Sequence, residues 1–305
     1  RMRMVITAVL LASVVVFGDR WWGAEARANA RLNYKVPHVQ SELMPGNVLR
    51  LHLENPNESA KNRFGLVQPD RLVLNDLIPD HGHIMHLFLV SMPDMKSFWH
   101  LHPHLIGEGE LEVNLPAMPA GRYQIYADIV HSSGFPETQV GEIDLPALTS
   151  GSLTGDNAGE PDVTASDNVS QFPDGYRMVW ERSNAPIKAG DTQWFRFRIE
   201  DKNGKPAQDM ENYMGMAGHA AFISTDGKVF AHVHPTGSAS MAAVSIAQGG
   251  NTMNAMSGMA GMEQGPIAPE VSFPYGFPKP GDYRIFVQIK RGGHVETGTF
   301  MAKVN

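Results

Sequence analysis

The sequence predicts an all-β protein, two tandem β-sandwich copies behind an N-terminal signal or anchor segment. Three observations carry this. The hydrophobic pattern after about Leu43 has a period of two, a domain-sized block occurs twice, and the first residues have the layout of an export signal.

Residues 1–30 come first. Arg1 and Arg3 supply positive charge, Val5 to Gly18 is apolar, and Ala26-Arg27-Ala28 and Ala28-Asn29-Ala30 both fit a small-residue cleavage site. The apolar run is short of the roughly 20 residues of a span. Trp21 and Trp22 follow it, where interfacial aromatics anchor a membrane helix. A cleaved export signal is favoured over a retained anchor. Either places the rest of the chain in the periplasm or outside the cell, with the membrane touched only through this segment.

The β pattern is carried by Val48 to Leu53, Tyr123 to Val130, Gln193 to Ile199 and Tyr283 to Ile289, which alternate or run β-branched and aromatic. Asn203-Gly204 and Asp226-Gly227 are hairpin turn signals. No stretch beyond the leader keeps a helical period. The repeat places His86 to Ser91 and Phe98 to Pro103 against His219 to Ser224 and Phe230 to Pro235, and Pro119 to Tyr126 against Pro280 to Phe286. Copy one then covers 40–148, a Ser/Gly/Asp/Asn-rich linker 149–173, and copy two 174–305 with an insertion at 238–269. About seven short strands per copy suit a sandwich of immunoglobulin or cupredoxin type.

The 305 residues carry a net charge of −7 and no basic stripe, which argues against a nucleic-acid partner. There are 13 histidines, 17 methionines and no cysteine. Disulfides and thiolate metal sites are excluded. Imidazole suits copper, zinc, iron and nickel, while thioether selects copper(I).

His100-Leu101-His102-Pro103 and His232-Val233-His234-Pro235 each end a strand-like run, preceded by His86 and His219. If Thr225 faces Lys228 across the Asp226-Gly227 turn, His219 lies opposite His234 and Ala221 opposite His232. Side chains alternate along a strand, so His232 and His234 share a face and His219 joins them. In copy one a loop with its tip at Pro93 to Lys96 should gather His86, His100 and His102 in the same way. His81 and His83 flank the first set, Met214 and Met216 the second. Within the insertion, Met253, Met256, Met259 and Met262 recur every third residue.

Plainer readings stand beside these. A strand histidine usually packs or hydrogen-bonds, and the methionine ladder also fits a low-complexity loop. Met85 and Met92 read as core. Glu137 and Glu296 read as partners of backbone groups, and His131 and His294 as secondary loop candidates.

Phe98-Trp-His-Leu-His-Pro, Phe230-Ala-His-Val-His-Pro and Pro119-Ala-Gly-Arg-Tyr resemble the motifs of bacterial exported proteins with tandem β-sandwich domains. The run from Lys188 to His219 fits the same pattern, and the likeness extends loosely to copper-resistance and YtkA-like domains. It covers most of 40–305 and implies heavy-metal handling, copper foremost, outside the cytoplasm. Blue-copper electron transfer is excluded, because that centre needs a Cys thiolate. The expectation is an exported copper-binding carrier, buffer or metallochaperone, with zinc as the alternative ion. Histidines would hold copper(II) and methionines copper(I), for handover to a membrane exporter or oxidase. The rivals are a structural or adhesive two-sandwich module and a copper or zinc enzyme. No catalytic motif names a reaction for the last.

Overall fold

A computed structural model describes residues 2–30, 36–54, 74–249 and 267–305, and the chain divides into two compact units, 1–36 and 37–305. The first contains one helix, α1 (Met2–Ala30). Its stretch Val5–Glu25, with mean hydropathy 1.5, is long and apolar enough to cross a membrane. The helix continues through Trp21 and Trp22, so it is longer than the apolar run alone suggested. Such a helix suits an export signal or an anchor equally.

The second unit is all-β apart from one short helix. The first copy contributes β1 (Val39–Met44), β2 (Val48–Leu53), β3 (Leu77–Ile78), β4 (Met85–Met92), β5 (Phe98–Leu101), β6 (His104–Gly107), β7 (Glu110–Asn114), β8 (Gly121–His131) and β9 (Pro136–Leu145). After β10 (Ala158–Glu160) and β11 (Val169–Gln171) come β12 (Arg177–Trp180), β13 (Gln193–Glu200), β14 (Met210–Glu211), β15 (His219–Ser224) and β16 (Phe230–Val233). Then follow α2 (Met241–Ala247), β17 (Glu270–Tyr275), β18 (Gly281–Arg291) and β19 (His294–Val304).

Each copy is a two-sheet sandwich. In copy one, β1-β2-β7-β6 faces β10-β5-β4-β8-β3, with β9 on β8; in copy two, β11-β12-β13-β17 faces β14-β18-β15-β16, with β19 on β18. Alternation builds the two cores. Leu49, Leu51 and Leu53 of β2 point into the first, and Phe195, Phe197 and Ile199 of β13 into the second. Strands β4 and β15 do not alternate in burial, because both of their faces are covered. Leu87 and Leu89 enter the first core, whereas Phe88 and Val90 join Ala221, Ile223 and Phe286 of copy two in a third core.

That third core joins the copies about a pseudo-two-fold relation. Phe98 stacks on Phe286 with ring centres 4.1 Å apart, and the equivalent pair, Phe230 on Tyr126, is at 4.3 Å. The predicted linker is therefore no free tether. Its β10 extends the sheet of copy one beside β5, Val163 enters the shared core, and β11 belongs to the sheet of copy two.

Two local readings change. The hairpin after β15 closes with Ser224 N–H on the Val229 carbonyl at 2.9 Å, a longer loop than a two-residue turn. Gly227, at φ +71°, turns the chain back inside it. Loop and turn preserve the same pairing sum, so Ala221 still faces His232. The insertion also begins with α2, whose Ser240 cap accepts from Ala243 N–H.

Candidate metal centre

Hairpin pairing and strand alternation place the histidines. On β4 and β5, Leu87 faces Leu101 and Phe88 faces His100, so His86 and His102 meet at the mouth of the hairpin, ring centres 5.0 Å apart. The hairpin of β15 and β16 repeats this with His219 and His234, also 5.0 Å apart. Both sets lie on the sheet faces turned toward the other copy. Packing the copies against each other therefore merges them into one buried nest.

A tight turn precedes each set. Asp80-His81-Gly82-His83 is closed by pairing between Asp80 and His83, and Tyr213-Met214-Gly215-Met216 by pairing between Tyr213 and Met216. His81 and Met214 both sit at φ +50°, in the left-handed region, and glycine follows each. His81 Nδ1 meets the Met214 carbonyl at 3.0 Å, which ties the two turns together.

The nest sorts into two ligand sets, His81/His219/His234 and His86/His100/His232. In each, one ring nitrogen per residue lies within 4.8 Å of the others. The expected sets, one per copy, are redistributed: each triad takes two histidines from one copy and one from the other. His102 and His83 stand beside the second triad, stacked at 3.9 Å.

Outer partners fix the imidazoles. His232 Nδ1 lies 3.2 Å from the Asp128 carboxylate, His100 Nδ1 2.9 Å from Gln288 Oε1, and His86 Nε2 3.1 Å from the Asp80 carbonyl. His102 Nδ1 meets Asn157 Oδ1 at 3.0 Å. These acceptors hold one N–H per ring and leave the other nitrogen as a lone pair, the arrangement that orients metal-ligating histidines. His86 Nδ1 and His100 Nε2 lie 2.9 Å apart, within hydrogen-bond distance and close enough to share one cation.

Several other ring nitrogens are buried without a hydrogen-bond partner: His81 Nε2, His102 Nε2, His232 Nε2, and both nitrogens of His219 and of His234. An unsatisfied buried polar atom costs about 1–3 kcal/mol, against a net domain stability of ~5–15 kcal/mol. Ordered water or a cation has to satisfy them. Burial holds every ring of both triads below the ordinary histidine range, with His100 and His234 lowered to about 3. Near neutrality the rings are uncharged, the form a metal requires. Burial also raises the Asp128 carboxyl, to about 7.

A cleft of about 280 Å³ reaches the nest, lined by Asp128, Thr138, His232, His234, Ser240 and Tyr275 among others. Asp80 Oδ1 accepts the Ala242 N–H at 2.8 Å, which fastens α2 to the residue preceding His81.

Other candidates lie elsewhere. Buried His131 pairs with Asp76 at 2.7 Å, its Nε2 3.9 Å from Glu137. Glu137 accepts from Gln139, and Glu296 from Arg291, so both serve side chains. His294 is exposed at the β18–β19 turn. Met85 is core and Met92 packs against the shared core. Met214 and Met216 are buried in the turn before β15, where the Met214 carbonyl meets His81. Met253, Met256, Met259 and Met262 lie outside the described residues. Sequence reading missed Asp128, Gln288 and Asn157. The first two hold equivalent places on β8 and β18, a signal present in the repeat, whereas Asn157 lies in the linker and gives none.

Residues 169–305 match the model of a domain of unknown function, DUF8832. No curated protein matches the sequence. Among solved structures the chain is similar, at 8% identity and a TM-score of 0.21, to domains 4 and 5 of the S-layer protein SbsC, over 84% of this chain and 82% of that one. It is also similar, at 9% identity and a TM-score of 0.19, to a chimeric titin Z1Z2, over 90% of this chain and 96% of the other. These likenesses carry no functional argument.

Proposed function

We propose that this is an exported metal-binding protein, copper foremost, that holds its cargo ions in the histidine nest between its two sandwich copies. The observation that carries the reading is the convergence of six buried or half-buried imidazoles into two triads, each spanning both copies, with partnerless nitrogens on His81, His219, His232 and His234. His81, His219 and His234 would hold one ion, and His86, His100 and His232 another. Imidazole accepts copper(II) and zinc(II) alike, and the affinity order of the divalent first-row metals puts copper(II) ahead.

Carriage fits better than catalysis. The cleft at His232 and His234, about 280 Å³, falls just below the ~300–1,000 Å³ of small-molecule pockets. It suits the passage of a hydrated ion. That same cleft is the one observation in favour of a metalloenzyme, since it brings solvent to a histidine site. Export through the N-terminal helix would place the carrier in the periplasm, where a membrane exporter or oxidase could receive the ion.

Metal analysis and calorimetric titration of metal-free protein with copper(II) and zinc(II) test the reading. Up to two ions per chain are expected, with His219→Ala and His232→Ala each removing one. Failure of the wild type to take up either ion would end it.

A further inference from the structure

We infer a third ligand set in the nest, a soft one suited to copper(I), formed by Met214, His86 and His102. The inference rests on the metal-binding reading and extends it to a site with a different donor. The pseudo-two-fold relation supplies the argument. It carries Phe98 and Phe286 onto Phe230 and Tyr126, and the β4–β5 hairpin onto β15–β16. It likewise carries the Asp128–His232 contact onto Gln288–His100, a reciprocal pair across the shared core.

The same relation carries the turn at Asp80 onto the turn at Tyr213, with matching closure and with φ +50° at His81 and at Met214. His219 and His234 correspond to His86 and His102, and both pairs have ring centres 5.0 Å apart. The image of the triad His81/His219/His234 is therefore Met214/His86/His102. One imidazole has become a thioether. Such a set prefers copper(I), because thioether is a soft donor and imidazole accepts either oxidation state.

Two observations independent of the symmetry point to a ligand. His102 Nε2 is buried without a partner while Asn157 fixes Nδ1, so the free lone pair is held in place. Met214 is buried against Ala158 and Tyr213, and Ala158 adjoins Asn157. The thioether and the free imidazole thus flank one short segment, 156–158. His86 belongs to this set and to the His86/His100/His232 triad, and because the Asp80 carbonyl holds its Nε2, its one remaining nitrogen serves either set but not both at once.

The test uses full-length protein in which Met253, Met256, Met259 and Met262 are all replaced by Leu, which leaves Met214 as the sulfur donor in question. X-ray absorption of the copper(I)-loaded protein should show a sulfur shell that Met214→Leu abolishes, while copper(II) and zinc(II) uptake stay unchanged. Met214→His combined with His232→Ala should restore the copper(II) or zinc(II) ion that His232→Ala removes, since His86 is then released from its triad and His81 shows that histidine is accommodated in this backbone conformation. A nitrogen-only shell before substitution, or a sulfur shell that survives Met214→Leu, overturns the inference and leaves the histidine triads standing. Absence of any metal uptake, including copper(II), would instead remove the reading beneath it. A chelator competition in which Met214→Leu weakens copper(I) retention at least tenfold would support the same assignment without spectroscopy.

Discussion

Asp128, on the first copy, holds the Nδ1–H of His232, on the second, at 3.2 Å. The contact crosses the shared core and decides which nitrogen of His232 is free. A carboxylate behind a ligating imidazole fixes its tautomer and raises its basicity, and losing it typically costs about 10–100-fold in metal affinity. Asp128→Asn can turn its amide N–H toward Nδ1 and move the ring proton to Nε2, the ligating atom. Chelator competition should show a loss of that order at the His86/His100/His232 site, with His81/His219/His234 little changed. Equal losses at both sites would mean that Asp128 acts through the fold and not through His232.

Metal-free protein should be acid-labile. The triad histidines have folded-state pKa values depressed by burial, so below pH about 6.5 the unfolded chain binds more protons than the folded one. Stability is then full above 6.5 and falls as the pH drops toward the folded-state values, about 3 for His100 and His234. Each such histidine adds up to about 1.4 kcal/mol of loss per pH unit. Denaturant midpoints measured between pH 7.5 and 5 should fall steeply for apo protein, and copper should raise them at each pH without flattening the profile, since the bound ion also needs neutral rings. A flat profile would mean that the rings are not buried in neutral form.

His219 tests whether the nest is kept for function at the expense of stability. Both of its nitrogens are buried and partnerless. An apolar residue of similar volume removes that penalty, about 1–3 kcal/mol per atom. His219→Leu should therefore leave the apo melting temperature unchanged or raised, while abolishing the increase on metal addition at that site. A large apo destabilisation would show that His219 is a structural tie.

The aromatic pairs that join the copies should make them unfold together. Phe286 is fully buried and stacks on Phe98 at 4.1 Å. Phe286→Ala should cost about 3–5 kcal/mol and weaken metal retention at both triads, because each needs ligands from both copies. Calorimetry of the wild type should show one transition for the β unit. Two separable transitions, with metal bound after the first, would contradict a shared core.

Sequence alone determined the β class, the duplication and the register of the second hairpin. A period of two, paired motifs and turn residues are local signals, and opposing His219 to His234 needs only the position of the turn and a count along two strands. That count survived even though the turn at Gly227 closes as a longer loop. What no local pattern encodes is which face of β4 meets which face of β15. Both strands are buried on two sides, so their apolar runs read alike whether the copies stand apart or share a core. Tertiary packing made that choice, and with it sent His232 to His86 and His100, sent His81 to His219 and His234, and brought Asp128, Gln288 and Asn157 behind the rings. The physical reason is that ligand sets are fixed by distances across an interface, and residues far apart in the chain acquire such distances only when the faces close.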